Sequence, residues 1–312
     1  CSTASLIYGA IPIFADVQLE TGSIDPDSIE KLITDKTKAI LVIHQFGIPA
    51  DMDRIMEIAK RYDLKVIEDC AQAHGAKYKG KFVGTFGDIG IFSLNVNKTI
   101  QTGEGGVCIT NDEELRYRLA LIRNHGESVV ESADYANITN IIGYNYRMTE
   151  IQAAIAIEQL KKLDYFNKVR IEYVDFLKQN LSKYDFIEPL KASYKCSPTY
   201  YVFSLRYKES KLKLPRNKLI QLLTSEGFPI FYGGYTRPLY LLPIYQNKIA
   251  FKNGYPFIAP ENSDIKTNYY MGSCPNAERL YNFEYIGSEH IRLPHTIEDM
   301  NDILSVFKKF FN

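Results

Sequence analysis

The chain has 312 residues, 46% hydrophobic and 24% charged, a composition that buries a sizeable core and excludes the disordered and collagen-like classes. Its 37 Lys and Arg balance 37 Asp and Glu, so no global field draws it to nucleic acid or an acidic membrane surface. No apolar run approaches the ~18 residues that span a bilayer, and cysteines at 1, 70, 108, 196 and 274 make neither a disulfide framework nor a zinc site of ordinary spacing, so a soluble, cytoplasmic chain without a metal is expected.

Residues 1–9 read as a helix running to a turn at Gly9, and because the chain opens on Cys1 inside that helix, an upstream segment is expected to be absent. Apolar runs at 12–16, 39–44, 65–68, 89–93 and 106–110 alternate with helical patterns, which predicts a largely parallel, buried sheet with helices on its faces. Asp25, Pro26 and Asp27 open a helix to Ile33, with Pro in the first turn and acids at the positive end of the macrodipole. Helices follow at 51–62 and from Asp112 to a stop at Gly126, where Leu115, Leu119 and Ile122 recur at helical spacing. Thr149 begins a longer helical stretch that continues through Tyr165 to Leu181. After Pro189 the pattern changes to a strand at 200–207, a helix at 216–226, a short strand at 290–293 and a closing helix at 297–311. The stretch 232–285 holds nine of the 23 tyrosines; its aromatic content predicts an ordered contact surface, either for a substrate or for a second copy of the chain.

Asp69, in KVIEDCAQAHG (65–75), falls at the carboxyl end of a buried strand, where open α/β sheets bind ligands. It either caps a following helix or pairs with a cationic cofactor nitrogen. Lys98 lies in DIGIFSLNVNKTIQTGEGG (88–106), past another strand. A lone Lys is ordinarily a solvated surface charge. Here Gly103, Gly105 and Gly106 permit close approach of backbone to ligand, and Ser93 stands upstream as a phosphate donor. GEGG lacks the spacing of the Walker and dinucleotide fingerprints, so a nicotinamide dehydrogenase is not expected.

Together with RNHG (123–126), GYNYRMTEIQAA (143–154) and CPNAERL (274–280), these runs resemble the DegT/DnrJ/EryC1/StrS sugar aminotransferases, pyridoxal-phosphate enzymes of the aspartate aminotransferase fold. The resemblance covers essentially the whole chain. It implies a fold type I α/β protein: a large domain at 1–186, a mostly parallel sheet flanked by helices and lacking the family's N-terminal part, and a smaller α+β domain at 187–312. It implies that Lys98 carries pyridoxal 5'-phosphate and moves the substrate proton, that Asp69 holds the pyridine nitrogen protonated, that Gln72 contacts the ring oxygen and that Ser93 binds the phosphate. Asn145 would reach the cofactor phosphate of a neighbouring subunit, which makes the protein a homodimer with shared active sites. Thr3 matches a family Thr close to the phosphate. His74 would shield the ring or serve as a hydrogen-bonded turn residue, the latter favoured since most buried histidines are structural. Arg147 would meet an anionic substrate or pin the interface. The family's phosphate-binding turn and ring-stacking aromatic lie upstream of Cys1.

The implied activity is transfer of an amino group from an amino acid, glutamate, to a keto sugar linked to a nucleotide, in surface polysaccharide or secondary-metabolite biosynthesis. Alternatives are transfer to a keto cyclitol, or a non-catalytic regulatory or binding relative of the same fold. Family dehydratases carry His where this chain has Lys98, so the Lys argues for amino transfer.

Overall fold

The computed structural model describes residues 1–126 and 141–311. The strands are β1 (Ala39–Ile43), β2 (Lys65–Asp69), the short pair β3 (Lys77–Tyr78) and β4 (Lys81–Phe82), β5 (Ile89–Ser93), β6 (Gly106–Ile109), β7 (Ile187–Pro189), β8 (Cys196–Ser197), β9 (Phe203–Tyr207), β10 (Tyr232–Gly233) and β11 (Tyr285–Ser288). The helices are α1 (Ser2–Ile7), α2 (Pro26–Leu32), α3 (Met52–Arg61), α4 (Glu113–Arg123), α5 (Glu150–Leu160), α6 (Leu163–Leu181), α7 (Glu209–Leu212), α8 (Arg216–Ser225), α9 (Pro243–Gln246), α10 (Pro275–Arg279) and α11 (Ile297–Phe311).

The helix starts are written in local chemistry. Asp25, Asp51 and Asp112 each accept a backbone N–H of the helix that follows, and Thr149 with Gln152 forms a reciprocal capping box on α5. The first sheet has the order β1-β2-β5-β6; β1, β2 and β5 run parallel and β6 pairs antiparallel with β5. The apolar stripes of α2 and α3, with Ile29, Ile55 and Ile58, bury Ile40, Val42 and Val66 of that sheet. A second, antiparallel sheet, β10-β11-β9-β7, packs on α6 and α11. On α11 Met300, Ile303, Leu304 and Phe307 fall at helical spacing and are all buried. The resulting α/β architecture, with a parallel-containing sheet, is the expected class.

Two expected strands are displaced. Residues 12–16 join no sheet, because side chains take up their polar groups. Asn268 hydrogen-bonds both the N–H and the carbonyl of Phe14, Tyr269 donates to Pro12 O, and Ser28 Oγ accepts from Asp16 N. Asp16 in turn accepts from Asn276 N and Ala277 N at the start of α10. The strand expected at 290–293 lies earlier, as β11. Its ladder with β9 ends at the Ser288–Phe203 pair, and the next N–H on the β9 side, Val202, is given to Phe46 O.

Part of the tyrosine-rich stretch is core, while Tyr255 and Tyr270 are exposed. Tyr240, Tyr245 and Tyr269 are buried in a third cluster with Leu6 and Phe14. Among the described residues no helix is long and apolar enough to cross a membrane, and all five cysteines are free.

Candidate active site

Parallel pairing brings the carboxyl ends of β1, β2 and β5 together, with Asp69 opposite Ile43 on one side and Ile91 on the other. Asp69 is 9% exposed. Its Oδ1 accepts from Ala71 N at 3.0 Å and its Oδ2 from the Cys1 thiol. Turns rather than a helix follow it, so Asp69 caps no helix. Ser93 ends β5, and its hydroxyl accepts from Asn95 N at 3.3 Å.

Lys98 sits in the connection between β5 and β6, half-buried, its ammonium 5.1 Å from the centre of the Tyr201 ring. Among the described residues it has no ion pair. Burial draws its pKa below the ordinary lysine value, against the opposing pull of the Asp69 and Glu289 carboxylates. The turn around it is tied down on both sides. Tyr201 donates its hydroxyl proton to Asn97 O at 2.9 Å, and Arg170 on α6 donates to Thr99 Oγ1 at 2.8 Å.

Gln72 is held by Phe46 N, which donates to its Oε1 at 2.8 Å, and its Nε2 donates to the Tyr235 hydroxyl at 2.7 Å. Phe46 adopts a left-handed φ of 63°, uncommon for so bulky a residue, with its ring stacked on Tyr285 at 5.0 Å. His74 is 4% exposed, and neither ring nitrogen has a hydrogen-bond partner. Burial pulls its pKa down to about 4, with the Lys98 and Arg170 charges adding to the effect and a backbone group of Ser93 opposing it. Its own carbonyl accepts from Asn167 of α6.

The other two expected residues are both exposed. Thr3 is exposed on α1. Asn145 is exposed, in an isolated bridge with Asn124, and neither side chain hydrogen-bonds Asp69, Gln72, Ser93 or Lys98. Arg147 donates to Asn124 Oδ1 at 2.5 Å.

Beneath the site, His44, Glu68 and Cys70 bring their polar atoms within 4.8 Å of one another, all buried. Hydrogen bonds already engage the ligand atoms. Glu68 accepts from the backbone of Gly84, Phe86 and Gly87, each at 2.7 Å, and pairs with His44 Nε2 at 3.0 Å, while His44 Nδ1 accepts from Ala50 N. Burial opposes the charge on Glu68, but these hydrogen bonds outweigh it and hold the carboxyl pKa below the usual range. Desolvation and the neighbouring carboxylates push the Cys70 thiol far up, so the cluster is a latch between β1, β2 and the 84–87 turn.

The sequence reading missed Glu289, Tyr201 and Arg170. Arg170 had a signal: on α6 the buried positions are 167, 170, 174, 177 and 181, and an Asn and an Arg on an apolar stripe imply polar work below it. Glu289 had none, since its place depends on where β11 ends.

A family model described as the DegT/DnrJ/EryC1/StrS aminotransferase family matches residues 1–257. The chain is 40% identical to the GDP-perosamine synthase of Escherichia coli O157:H7, over 88% of this chain and 74% of that protein. It is 33% identical to the L-glutamine:2-deoxy-scyllo-inosose aminotransferase of Streptoalloteichus tenebrarius, over 99% of this chain and 73% of that one. Among solved structures, an aminotransferase from Psychrobacter cryohalolentis matches with a TM-score of 0.83 and 29% identity, covering 99% of this chain and 78% of that one.

Proposed function

Because the chain belongs to the DegT/DnrJ/EryC1/StrS aminotransferase family, a family of sugar aminotransferases, we propose that it transfers an amino group from glutamate to the ketone of a nucleotide-linked sugar, with pyridoxal phosphate as cofactor. The observation that carries this reading is a half-buried amine, Lys98, that has no ion pair among the described residues and whose pKa is drawn down by burial while Asp69 at the end of β2 bears on it.

The residues fit the cofactor. Among the described residues the Asp69 carboxylate accepts from one backbone N–H and the Cys1 thiol, and the buried ring of His74, against Phe92, has no hydrogen-bond partner for either nitrogen. Bound there, pyridoxal phosphate supplies a conjugated ring that accepts the electron pair released at the substrate carbon. Asp69 would hold a proton on the ring nitrogen. Lys98 Nζ would bind the cofactor, then take the proton from the donor carbon as general base; a lowered pKa leaves more of the amine unprotonated near neutrality. Ser93 would meet the phosphate, and Gln72 would approach the ring oxygen from its Phe46 and Tyr235 anchors. Thr3 is proposed near the phosphate.

We also propose a homodimer in which Asn145 serves the partner's phosphate. Supporting this, none of the residues of α5 is buried, and Ile151, Ile155, Ile157 and Leu160 are exposed at 75%, 42%, 58% and 60%, a surface that one copy alone leaves wet. A keto cyclitol is the second reading for the acceptor, favoured by the likeness to the scyllo-inosose aminotransferase.

The test is borohydride reduction of the cofactor-loaded protein followed by peptide mapping, with a panel of keto sugars and keto cyclitols assayed for amine by mass spectrometry. Label on the peptide holding Lys98 and amine from a nucleotide-linked ketone are expected; label on another lysine overturns the assignment.

A further inference from the structure

Tyr201 stands just before β9, is 3% exposed, and meets Lys98 at both ends. Its hydroxyl donates to Asn97 O at 2.9 Å, the carbonyl of the peptide unit whose nitrogen belongs to Lys98. Its ring lies beneath the far end of the same lysine, with the ammonium 5.1 Å from the ring centre. A second cation, the Arg170 guanidinium, is 5.8 Å from that centre and donates to Thr99, the next residue of the turn. Tyr200, immediately before, takes a left-handed φ of 48°, uncommon for a bulky residue and a mark of backbone held by its surroundings. The segment is fixed without help from the lysine, because Thr199 N donates to Gly47 O and Val202 N to Phe46 O.

An aromatic face attracts a cation, and more strongly where water is excluded. A lysine that binds and releases a cofactor alternates between a bonded and a free amine. The free amine, at the end of a flexible four-carbon stem, has to stay within reach of the reacting carbon. We propose that Tyr201 is a positioning residue for Lys98: its ring face holds the amine whenever it is released, and its hydroxyl fixes the backbone from which that amine extends. This rests on the reading of Lys98 as the cofactor lysine. The groups that bear on the amine are Asp69 on β2, His74 after it, Arg170 on α6, Glu289 after β11, and Arg292, which donates to the same Asn97 O at 3.5 Å. The carboxylates and the ring favour the protonated amine, and burial opposes it.

The experiment is competitive acetylation of the protein loaded with pyridoxamine phosphate, the cofactor form that leaves Lys98 free, read at the Lys98 peptide by mass spectrometry across pH. Tyr201→Leu should lower the labelling midpoint by about one pH value, the size of a desolvated cation–π contact. It should also slow amino transfer from saturating glutamate to the cofactor about tenfold, with the affinity for glutamate unchanged. Tyr201→Phe keeps the ring, so the midpoint should stay at the wild-type value and the rate should fall less. Tyr201→pentafluorophenylalanine keeps the shape but inverts the polarity of the ring face, and should lower the midpoint as Leu does. That variant separates attraction from packing and stands in if Tyr201→Leu fails to fold. A midpoint unmoved by loss or inversion of the ring face, one that falls equally in Tyr201→Phe, or a loss of glutamate affinity with the rate intact overturns the proposal. The wider reading is judged separately by borohydride mapping: label on another lysine refutes the cofactor role of Lys98, while a lowered midpoint at the Lys98 peptide keeps the hold of the ring on its amine.

Discussion

His74 presents a deeply buried imidazole, its pKa shift opposed only by a backbone group of Ser93, and this sets a pH dependence. Its pKa is about 4 in the fold against an ordinary ~6.5 in the unfolded chain. Between these values the unfolded chain binds the extra proton, so stability falls as pH drops from ~6.5 toward 4 and levels off below it. His74→Leu should remove roughly 2–3 kcal/mol of the loss between pH 7 and 4.5, read as a smaller shift in urea midpoint than wild type shows. Glu68→Gln acts in the opposite sense: it breaks a buried acceptor of three backbone N–H groups and should cost ~3 kcal/mol at pH 7, seen as a lowered melting temperature. For the site itself, Asp69→Asn should keep the cofactor bound while slowing turnover severely; near-normal turnover would reduce Asp69 to a turn residue. The place of Asp69 at the end of β2 was legible because the apolar run stops there. The burial of His74 was not, since what covers an imidazole there depends on α6 and β5, distant in sequence.

Helix α5 was readable from its first four residues, because T-x-x-Q satisfies two orphan amides locally. Thr149→Ala should cost ~1 kcal/mol, and amide exchange in the first turn of α5 should quicken about fivefold. Strands were harder to read. An apolar run announces an extended chain, but Asn268, Tyr269 and Ser28 decided that 12–16 would pair with side chains. Gly47 marks another join that sequence alone could not supply. It has φ +81°, and a Cβ there would come within 2.7 Å of Tyr201 N and 2.9 Å of Gln72 O. Gly47→Ala should therefore cost ~2 kcal/mol or more, from left-handed strain plus a backbone clash, and should loosen the contact between the Gln72 turn and the Tyr201 segment. Reduced thermal stability with weakened cofactor binding is the expected outcome.

In the proposed homodimer, sharing of sites is testable by mixing two variants. Lys98→Ala and Asn145→Ala, each inactive alone, should regain about a quarter of normal activity when their subunits exchange, because half the pairs are mixed and each mixed pair has one intact site. No recovery, with exchange demonstrated and Asn145→Ala inactive, would show that Asn145 serves its own subunit. Helix α6 links the two sheets differently. It is embedded in the second core through Val174, Leu177 and Leu181, alongside Phe307 of α11, and its other half is pinned to His74 O and Thr99 Oγ1. A helix of this length is a stiff rod of roughly 28 Å. A displacement of the C-terminal helix would therefore be carried along that rod to the turn that holds Lys98, the amine proposed to bind the cofactor.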